Sequence, residues 1–213
     1  MHQIKHPSRW KYTSPETEGF HDVVTPDNSV CKFSWLYRLN LPKGKGHTLV
    51  DDKLELNGLV FRGRIKVAHH SEKDELEKQD SFYQVHGKVP YQRDVFMTLG
   101  PEDEASRLIC GITRGEPGKW TSWPPHQHTE DLEEVYCYFD IPKPKSAFHF
   151  SSRREGEFEH IHPVSTGDCV LIPEGYHPTC GMPGVSSCYF WVMAAHRPES
   201  RRYDLAVNDP SFQ

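Results

Sequence analysis

The sequence is organised around Trp120-Thr-Ser-Trp-Pro-Pro-His-Gln-His-Thr-Glu-Asp-Leu-Glu-Glu-Val-Tyr-Cys-Tyr138, a stretch that combines two histidines, several carboxylates and a strand-like alternation. Successive side chains of an extended strand face opposite ways, so we expect His126 and His128 to share one side while Gln127 points away. Two imidazoles on one side of a strand can bind one ion together. The stretch therefore predicts part of a metal site on a β-strand.

A carboxylate ligand is expected where the chain resumes as Glu134-Val-Tyr-Cys-Tyr-Phe139 after a short acidic turn. The period of two lets a carboxylate at the start of this strand face the histidines across a hairpin. Only one of the adjacent residues Glu133 and Glu134 can ligate. Counting from His128 favours Glu133, whereas the strand pattern favours Glu134, because extra residues are absorbed in loops rather than in strands.

A further histidine follows in Gly167-Asp-Cys-Val-Leu-Ile-Pro-Glu-Gly-Tyr-His177-Pro178, a strand that ends in a Pro/Gly turn. The order His-x-His, Glu, then Gly-Asp and Pro-x-Gly-x-His resembles the metal-binding pattern of the cupin superfamily, whose members are small antiparallel β-barrels. The spacing of His160-Ile-His162 is also His-x-His, but no carboxylate with alternating aromatics follows soon after it. We interpret that second pair as a barrel-edge pair.

Length and strand patterning predict the domain organisation. At 213 residues the chain is long enough for two small barrels, and short antiparallel strand patterns occur in both halves. We predict an all-β fold of the double-stranded β-helix type, a cupin or jelly-roll barrel, with two barrels in one chain (a bicupin). Residues 1–105 are assigned to a degenerate N-terminal cupin with a draped N-terminal arm, and residues 106–213 to the metal-binding cupin. The first barrel is expected to lack a metal, because His69, His70 and His86 have no suitably spaced partners.

Charge and hydropathy patterning exclude several classes. The net charge of -5 comes with scattered Lys and Arg residues, which argues against nucleic-acid binding. No apolar run approaches the roughly 18–20 residues of a membrane span, and residues 1–7 lack the apolar core of a signal peptide. We therefore expect a cytoplasmic protein without a membrane partner; a homo-oligomer is compatible with the sequence. The six cysteines form no Cys-x-x-Cys pair and are interpreted as reduced thiols.

Several motifs together support a family resemblance: Gly118 to His128, Leu132 to Tyr136, Leu171 to Pro178, Val192 to Ala195 and Asn208 to Pro210. They resemble the 5-deoxyglucuronate isomerases of inositol catabolism over residues ~90–213. Residues 134–142 and 148–150 also look like the sister 5-keto-4-deoxyuronate isomerases of pectin breakdown, so both substrates stay open. Both families are bicupin ketol-isomerases, and the resemblance implies zinc or a similar divalent ion in the second barrel.

The resemblance also bears on individual residues. Its Glu-Val-Tyr motif favours Glu134 as the ligand, so the predicted metal ligands are His126, His128, Glu134 and His177. Glu133 is then either a solvated turn carboxylate or a catalytic base that approaches from the barrel rim. Arg93 matches an Arg of the family pattern and could bind a uronate carboxylate bidentately; a surface ion pair is the alternative.

The predicted ligand set indicates the chemistry. Three neutral imidazoles and one carboxylate leave a divalent ion positively charged with open positions, which suits Lewis-acid polarisation of a hydroxy-carbonyl pair. Zinc is redox-inert and suits isomerisation, although Mn, Fe or Ni fit the same ligands. We therefore predict a metal-dependent aldose–ketose isomerase acting on a small sugar acid. A cupin dioxygenase with iron and a non-catalytic sugar-binding cupin are the alternatives from other classes.

Overall fold

Short apolar and alternating runs of the sequence fold into β-strands. The structure, a computed structural model, describes residues 6–51, 53–65 and 82–212. All regular elements of this part of the chain are strands or single-turn 3-10 helices, and no helix in it is long and apolar enough to cross a membrane. The strands are β1 Lys11–Thr13, β2 Gly19–Val24, β3 Leu36–Asn40, β4 Phe82–His86, β5 Arg93–Leu99, β6 Leu108–Gly115, β7 Trp120–Thr121, β8 His126–Gln127, β9 Leu132–Tyr138, β10 Ala147–Ser151, β11 His160–Val164, β12 Asp168–Ile172, β13 Thr179–Gly181, β14 Cys188–Ala195 and β15 Val207–Asn208; the 3-10 helices are Pro7–Arg9, Pro198–Ser200, Tyr203–Leu205 and Pro210–Phe212.

Two antiparallel sheets enclose the core. The larger sheet has the order β1-β12-β9-β14-β6-β5-β4, and the smaller has the order β11-β10-β13-β7. They face each other through Tyr138 of β9, whose hydroxyl lies 2.8 Å from Nδ1 of His149 on β10. The ring of Tyr136 also contacts His149 across the gap. The predicted all-β class is confirmed for the described residues, and the arrangement is consistent with a cupin fold.

Strand β14 is an apolar run without alternation because both of its faces are buried. All eight of its residues are buried. Because neighbouring side chains face opposite ways, Tyr189 and Trp191 point into the cavity of the barrel, while Phe190 packs with Cys110 on the outer face of the sheet. Burial of a large apolar side chain contributes about 1.5–3 kcal/mol, so this strand is stabilised from both faces.

The N-terminal segment is attached to the larger sheet through a short strand. Its β1 pairs antiparallel with β12, and Trp10 is only 1% exposed. Lys11 Nζ lies 2.9 Å from a carboxylate oxygen of Asp168, and Thr13 Oγ1 donates a hydrogen bond of 2.7 Å to the other oxygen. The predicted N-terminal arm thus contains a short strand that pairs with the larger sheet, which the sequence did not indicate. A strand of three residues shows no periodicity, and its partners lie more than 150 positions away.

The predicted two-barrel arrangement is not confirmed. Among the described residues before position 105, β2 and β3 pair with each other in a separate sheet, while β4 and β5 extend the larger sheet beyond β6. Strands from both sides of residue 105 therefore share one sheet. The boundary at 105 stays a prediction, and His69 and His70 lie outside the described residues.

Residues 53–65 have no strand structure, and Leu59 and Phe61 of this segment pack against the outer face of the larger sheet. Glu55 attaches them: its carboxylate accepts hydrogen bonds from the backbone N–H groups of Ser106, Arg107 and Leu108 at 2.6, 2.7 and 2.5 Å. Burial acts to raise the pKa of Glu55, but these amide hydrogen bonds outweigh it and leave the pKa below its ordinary value. The ionised carboxylate is thus the form that the fold favours.

Glu55→Gln should weaken this attachment, because an amide oxygen is a poorer acceptor and the new NH2 group faces backbone donors. The folded-state pKa of Glu55 is depressed, so its contribution is complete above the ordinary value of 4.5 and is lost as the pH falls through the folded value. The difference in unfolding free energy between the wild type and Glu55→Gln, measured in urea, should be constant near neutral pH and shrink in acid. Exposed Glu104→Gln is the control, and an equal difference at every pH would contradict the prediction.

Candidate metal centre

Two of the predicted ligands lie on or directly after β8. His126 and His128 both line a cavity of about 210 Å³ inside the barrel. Gln127 points away from them and lines a different, more open cavity on the outside. The alternation predicted for this stretch is therefore present, although only two of its residues have strand geometry.

Each of the three predicted histidine ligands is oriented by a backbone carbonyl. The Nδ1 atoms of His126, His128 and His177 lie 3.0, 3.0 and 3.1 Å from the carbonyl oxygens of Pro124, Leu132 and Gly175, respectively. A carbonyl oxygen can only accept, so each Nδ1 carries a proton, and Nε2 of each ring is the atom that can bind a cation once it holds no proton. Metal-ligating histidines are commonly oriented in this way.

Glu134 stands between two of these Nε2 atoms. Its Oε2 lies 3.1 Å from Nε2 of His128 and 3.3 Å from Nε2 of His177, and all three side chains are buried. Nε2 of His177 has no hydrogen-bond partner. The ligand atoms of the three residues lie within 4.8 Å of one another, and no other group of three His, Cys, Asp or Glu residues in the described part of the chain is as close. The orphaned nitrogen and the acidic oxygen beside it fit a bound cation.

His126 lies beside this triad rather than within it. Its ring centroid is 4.7 Å from that of His177 and 6.5 Å from that of His128. The structure thus brings three predicted ligands together and places the fourth against them at the same cavity. The paired histidines His160 and His162 are on β11 of the other sheet, and neither lines this cavity.

Burial determines the protonation of the site. It lowers the pKa of His126 to about 4 and that of His177 well below its ordinary value, so both imidazoles are neutral at neutral pH. Burial also acts to lower the pKa of His128, but the hydrogen bond and charge of Glu134 outweigh it and raise that pKa. The pKa of Glu134 is raised by burial. A cation would displace the proton shared by this pair, so its affinity should fall in acid.

The turn before His177 depends on Gly175. Its φ of +81° lies in the left-handed region, and a Cβ there would be 2.1 Å from the backbone oxygen of Ser152. Gly175 donates its N–H to Thr129 Oγ1 at 2.9 Å, while its carbonyl orients His177. The Pro/Gly turn seen in the sequence therefore ties the His177 segment to the chain that follows His128.

Glu133 requires a correction, because it does not lie at the cavity. The period of two on β9 places it on the opposite face from Glu134, where it is 2% exposed. Its two carboxylate oxygens accept hydrogen bonds from the backbone N–H groups of Lys32 and Phe33, both at 2.7 Å. The side chain fastens the N-terminal segment to the outside of the barrel. Glu133 is therefore not placed to act as a catalytic base at the cavity.

Arg93 on β5 lines the same cavity as the histidines. Its guanidinium makes only long contacts, 3.4 Å each, to the carbonyl oxygens of Tyr91 and Trp123. No ion pair to a carboxylate of the described residues is formed, so the alternative of a surface ion pair is not seen. The positive charge faces a cavity in which an anion could bind.

The C-terminal segment forms a wall of the cavity that the sequence did not predict. Tyr203, Ala206 and Asn208 line it, and Asn208 of β15 pairs with His126 of β8. The adjacent residue Asp209 is 1% exposed. Its N–H donates to the Pro125 carbonyl at 2.8 Å, and its carboxylate accepts from the N–H groups of Gly156 and Ser211 at 2.7 and 2.9 Å. The motif Asn208-Asp-Pro210 thus holds the tail against the strand that carries His126.

Comparison with known proteins agrees with this geometry. Residues 79–213 match the model of the KduI/IolB family. The chain belongs to this family. The resemblance predicted from the motifs is therefore confirmed, and the matched range contains all the residues of the candidate centre.

Curated relatives and a solved structure support the family assignment. The 5-deoxy-glucuronate isomerase of Bacillus licheniformis is 29% identical over 65% of this chain and 52% of its own length. That of Shouchella clausii is 34% identical over 51% of this chain and 43% of its own length. The chain spans about half the length of the curated relatives it matches. The crystal structure of an IolB-like protein from Salmonella typhimurium LT2 is 24% identical, with a TM-score of 0.55 over 62% of this chain and 51% of that one, and shows a similar fold.

The two adjacent carboxylates provide a matched pair of variants. Glu134→Gln should abolish metal binding, as should His128→Ala, because the charged oxygen between His128 and His177 is lost. Glu133→Gln should keep the metal but destabilise the fold by about 1–3 kcal/mol, because the glutamine NH2 would face a buried backbone donor. Metal content by atomic emission and unfolding in urea measure the two effects. Undiminished metal in His128→Ala, or metal loss that follows Glu133 instead, would show the assignment to be wrong.

Asp209→Ala should loosen the tail and with it His126. We expect weaker metal binding than in the wild type, a smaller loss than in His128→Ala, and faster proteolysis after residue 202. Titration with zinc against a competing chelator and limited proteolysis measure these effects. Asp204→Ala is the matched control, since this exposed carboxylate on the same tail forms its one ion pair within the described residues with Arg202. Wild-type zinc affinity and proteolysis in Asp209→Ala would refute a positioning role.

Proposed function

We propose that the chain is a metal-dependent aldose–ketose isomerase of a deoxyuronate, with 5-deoxyglucuronate as its substrate. The observation that carries the proposal is that two members of the buried His–Glu–His cluster, His128 and Glu134, line the same cavity as the guanidinium of Arg93, which forms no ion pair within the described residues. Membership of the KduI/IolB family and relatives named 5-deoxy-glucuronate isomerase support the reaction class. The match covers 52% and 60% of the length of the first two of those relatives, so the activity of this chain is a proposal.

We assign one divalent ion, zinc in the first instance, to His126, His128, Glu134 and His177. When bound, the ion supplies Lewis-acid polarisation of a carbonyl and its neighbouring hydroxyl. The residues themselves supply orientation: backbone carbonyls orient all three rings, and Nε2 of His128 and of His177 lies beside Glu134. Burial keeps the imidazoles of His126 and His177 neutral and able to ligate.

Substrate recognition is assigned to Arg93 and the aromatic wall. A guanidinium binds a carboxylate through two parallel hydrogen bonds, and no carboxylate of the described residues would have to be displaced from Arg93. Tyr136 and Tyr189 stack at 4.1 Å beside the cavity and keep water from that side. A cavity of about 210 Å³ suits a small acid rather than a polymer.

The proton carrier is assigned to His86. Among the described residues that line the cavity, it is the imidazole outside the metal centre. Its Nε2 donates to Oε1 of Gln84, which leaves the lone pair on Nδ1 to accept a proton. Burial and the charge of Arg93 lower the pKa of His86, so the neutral form is present at neutral pH. A neutral imidazole can take a proton from one carbon and return it to the next.

The reaction itself gives the first test. Metal-replete protein should convert 5-deoxyglucuronate to the ketose, a chelator should abolish turnover, and air and argon should give equal rates. In heavy water, solvent deuterium should appear on the carbon beside the carbonyl. Turnover of a 4-deoxy-5-ketouronate alone would favour the sister activity, and oxygen consumption would indicate a dioxygenase. No turnover of either acid with metal bound would leave a sugar-binding protein as the better account.

Variants separate recognition from chemistry. Arg93→Ala should raise KM by roughly 10- to 100-fold with a smaller effect on kcat, because a charged contact common to substrate and transition state is lost. Arg93→Lys, which keeps the charge but not the fork, should lie between the two. His86→Gln should instead lower kcat by about 10²–10⁴-fold. An unchanged KM in Arg93→Ala would contradict the role of Arg93 in substrate binding, and an unchanged kcat in His86→Gln would contradict the role of His86 in proton transfer.

A cytoplasmic location and a homo-oligomeric state of the protein stay predictions.

A further inference from the structure

A pair of thiols lies on the outer side of the two strands that support the metal centre. Cys137 of β9 and Cys169 of β12 are direct partners in the antiparallel register. Their Sγ atoms are 3.4 Å apart, with the Cys169 thiol donating to Cys137, and both cysteines are free. Cys137 is three residues after Glu134 and faces the opposite way, so the pair does not open into the cavity.

The two thiols differ in access and in reactivity. Cys169 is fully buried, whereas Cys137 is partly exposed, so a small oxidant meets Cys137 first. The hydrogen bond from Cys169 lowers the pKa of Cys137, and the nearby charge of Arg38 adds to this effect. The guanidinium of Arg38 is held in place by Ser14 Oγ at 2.9 Å. Burial raises the pKa of Cys180 and Cys188, and neither has a thiol partner among the described residues, so Cys137 has the greatest thiolate character of these three.

We propose that Cys137 and Cys169 form an oxidation site that takes a hydroperoxide and closes to a disulfide. The thiolate of Cys137 attacks the peroxide bond, which forms an S–O bond and releases water or an alcohol, and Cys137 becomes a sulfenic acid. The thiol of Cys169 then attacks that sulfur, which forms the S–S bond and releases water. In total, the two thiols lose two electrons and two protons, and one hydroperoxide is reduced by two electrons.

The strand geometry permits this closure. A disulfide requires the sulfurs to approach by about 1.4 Å, and the Cβ atoms of directly opposed residues lie close to the separation that a disulfide needs. The cross-link would tie β9, which carries Glu134, to β12, which leads to His177. Because it lies behind the sheet, it stabilises the frame of the metal centre and leaves the cavity open.

The experiment treats the folded, full-length chain with hydrogen peroxide and follows it by mass spectrometry under non-reducing conditions. We expect loss of two hydrogens per chain, a cross-linked peptide that joins Cys137 to Cys169, a higher melting temperature, and full reversal by dithiothreitol. Cys180 is the internal control, because it is partly exposed and its pKa is raised. Oxidation of Cys180 before Cys137, or thiols that stay reduced in the folded chain, would overturn the proposal.

Three variants test the order of events. Cys169→Ser should stop at the sulfenic acid of Cys137, which dimedone labels, whereas Cys137→Ser should give no label at Cys169. Cys180→Ser should form the disulfide as the wild type does. Dimedone labelling of Cys169 in folded Cys137→Ser, or the absence of a disulfide in folded Cys180→Ser, would contradict the mechanism. These measurements read thiol chemistry alone, so they are independent of metal binding and of turnover.

Discussion

The alternation of side chains along β9 is the constraint on which the rest of the structure depends. It sends the carboxylates of Glu133 and Glu134 to opposite faces of one strand. Glu134 points into the barrel, between two imidazoles. Glu133 points outward and binds two backbone amides of the N-terminal segment. One dipeptide thus supplies the acidic group of the candidate centre and also anchors the segment that covers the sheet, so a shift of one residue would destroy both functions.

A buried carboxylate must be compensated, and the barrel does this with very few groups. The charge of Glu134 is opposed by the proton that it shares with His128, while His177 keeps an unpartnered nitrogen beside it. Such an arrangement costs stability without a cation, because each buried polar group loses its water. It becomes favourable when an ion takes the place of the proton.

Two segments distant in sequence complete the site. The tail beyond residue 202 supplies a cavity wall and pairs with β8, and β5 supplies Arg93 from the half of the chain that was predicted to form another barrel. β5 pairs with β6 in the larger sheet, and this places Arg93 at the cavity that His126 of β8 also lines. The proposed carboxylate recognition thus depends on a sheet that crosses the predicted domain boundary.

The local pattern was sufficient for much of this assignment. The period of two and the Pro/Gly turn predicted the strands around His126, Glu134 and His177 and the all-β class, because these features depend on neighbouring residues. The family was predicted from the resemblance of several short motifs. The role of Glu133 was not predictable, since its partners at Lys32 and Phe33 lie 101 and 100 positions away. No local signal predicted the strand of Lys11 to Thr13 or the hydrogen bonds by which Asp209 holds the C-terminal tail. The contact between the thiols of Cys137 and Cys169 had no local signal either. Each depends on a long-range pairing between strands, and only the folded chain determines which strands become neighbours.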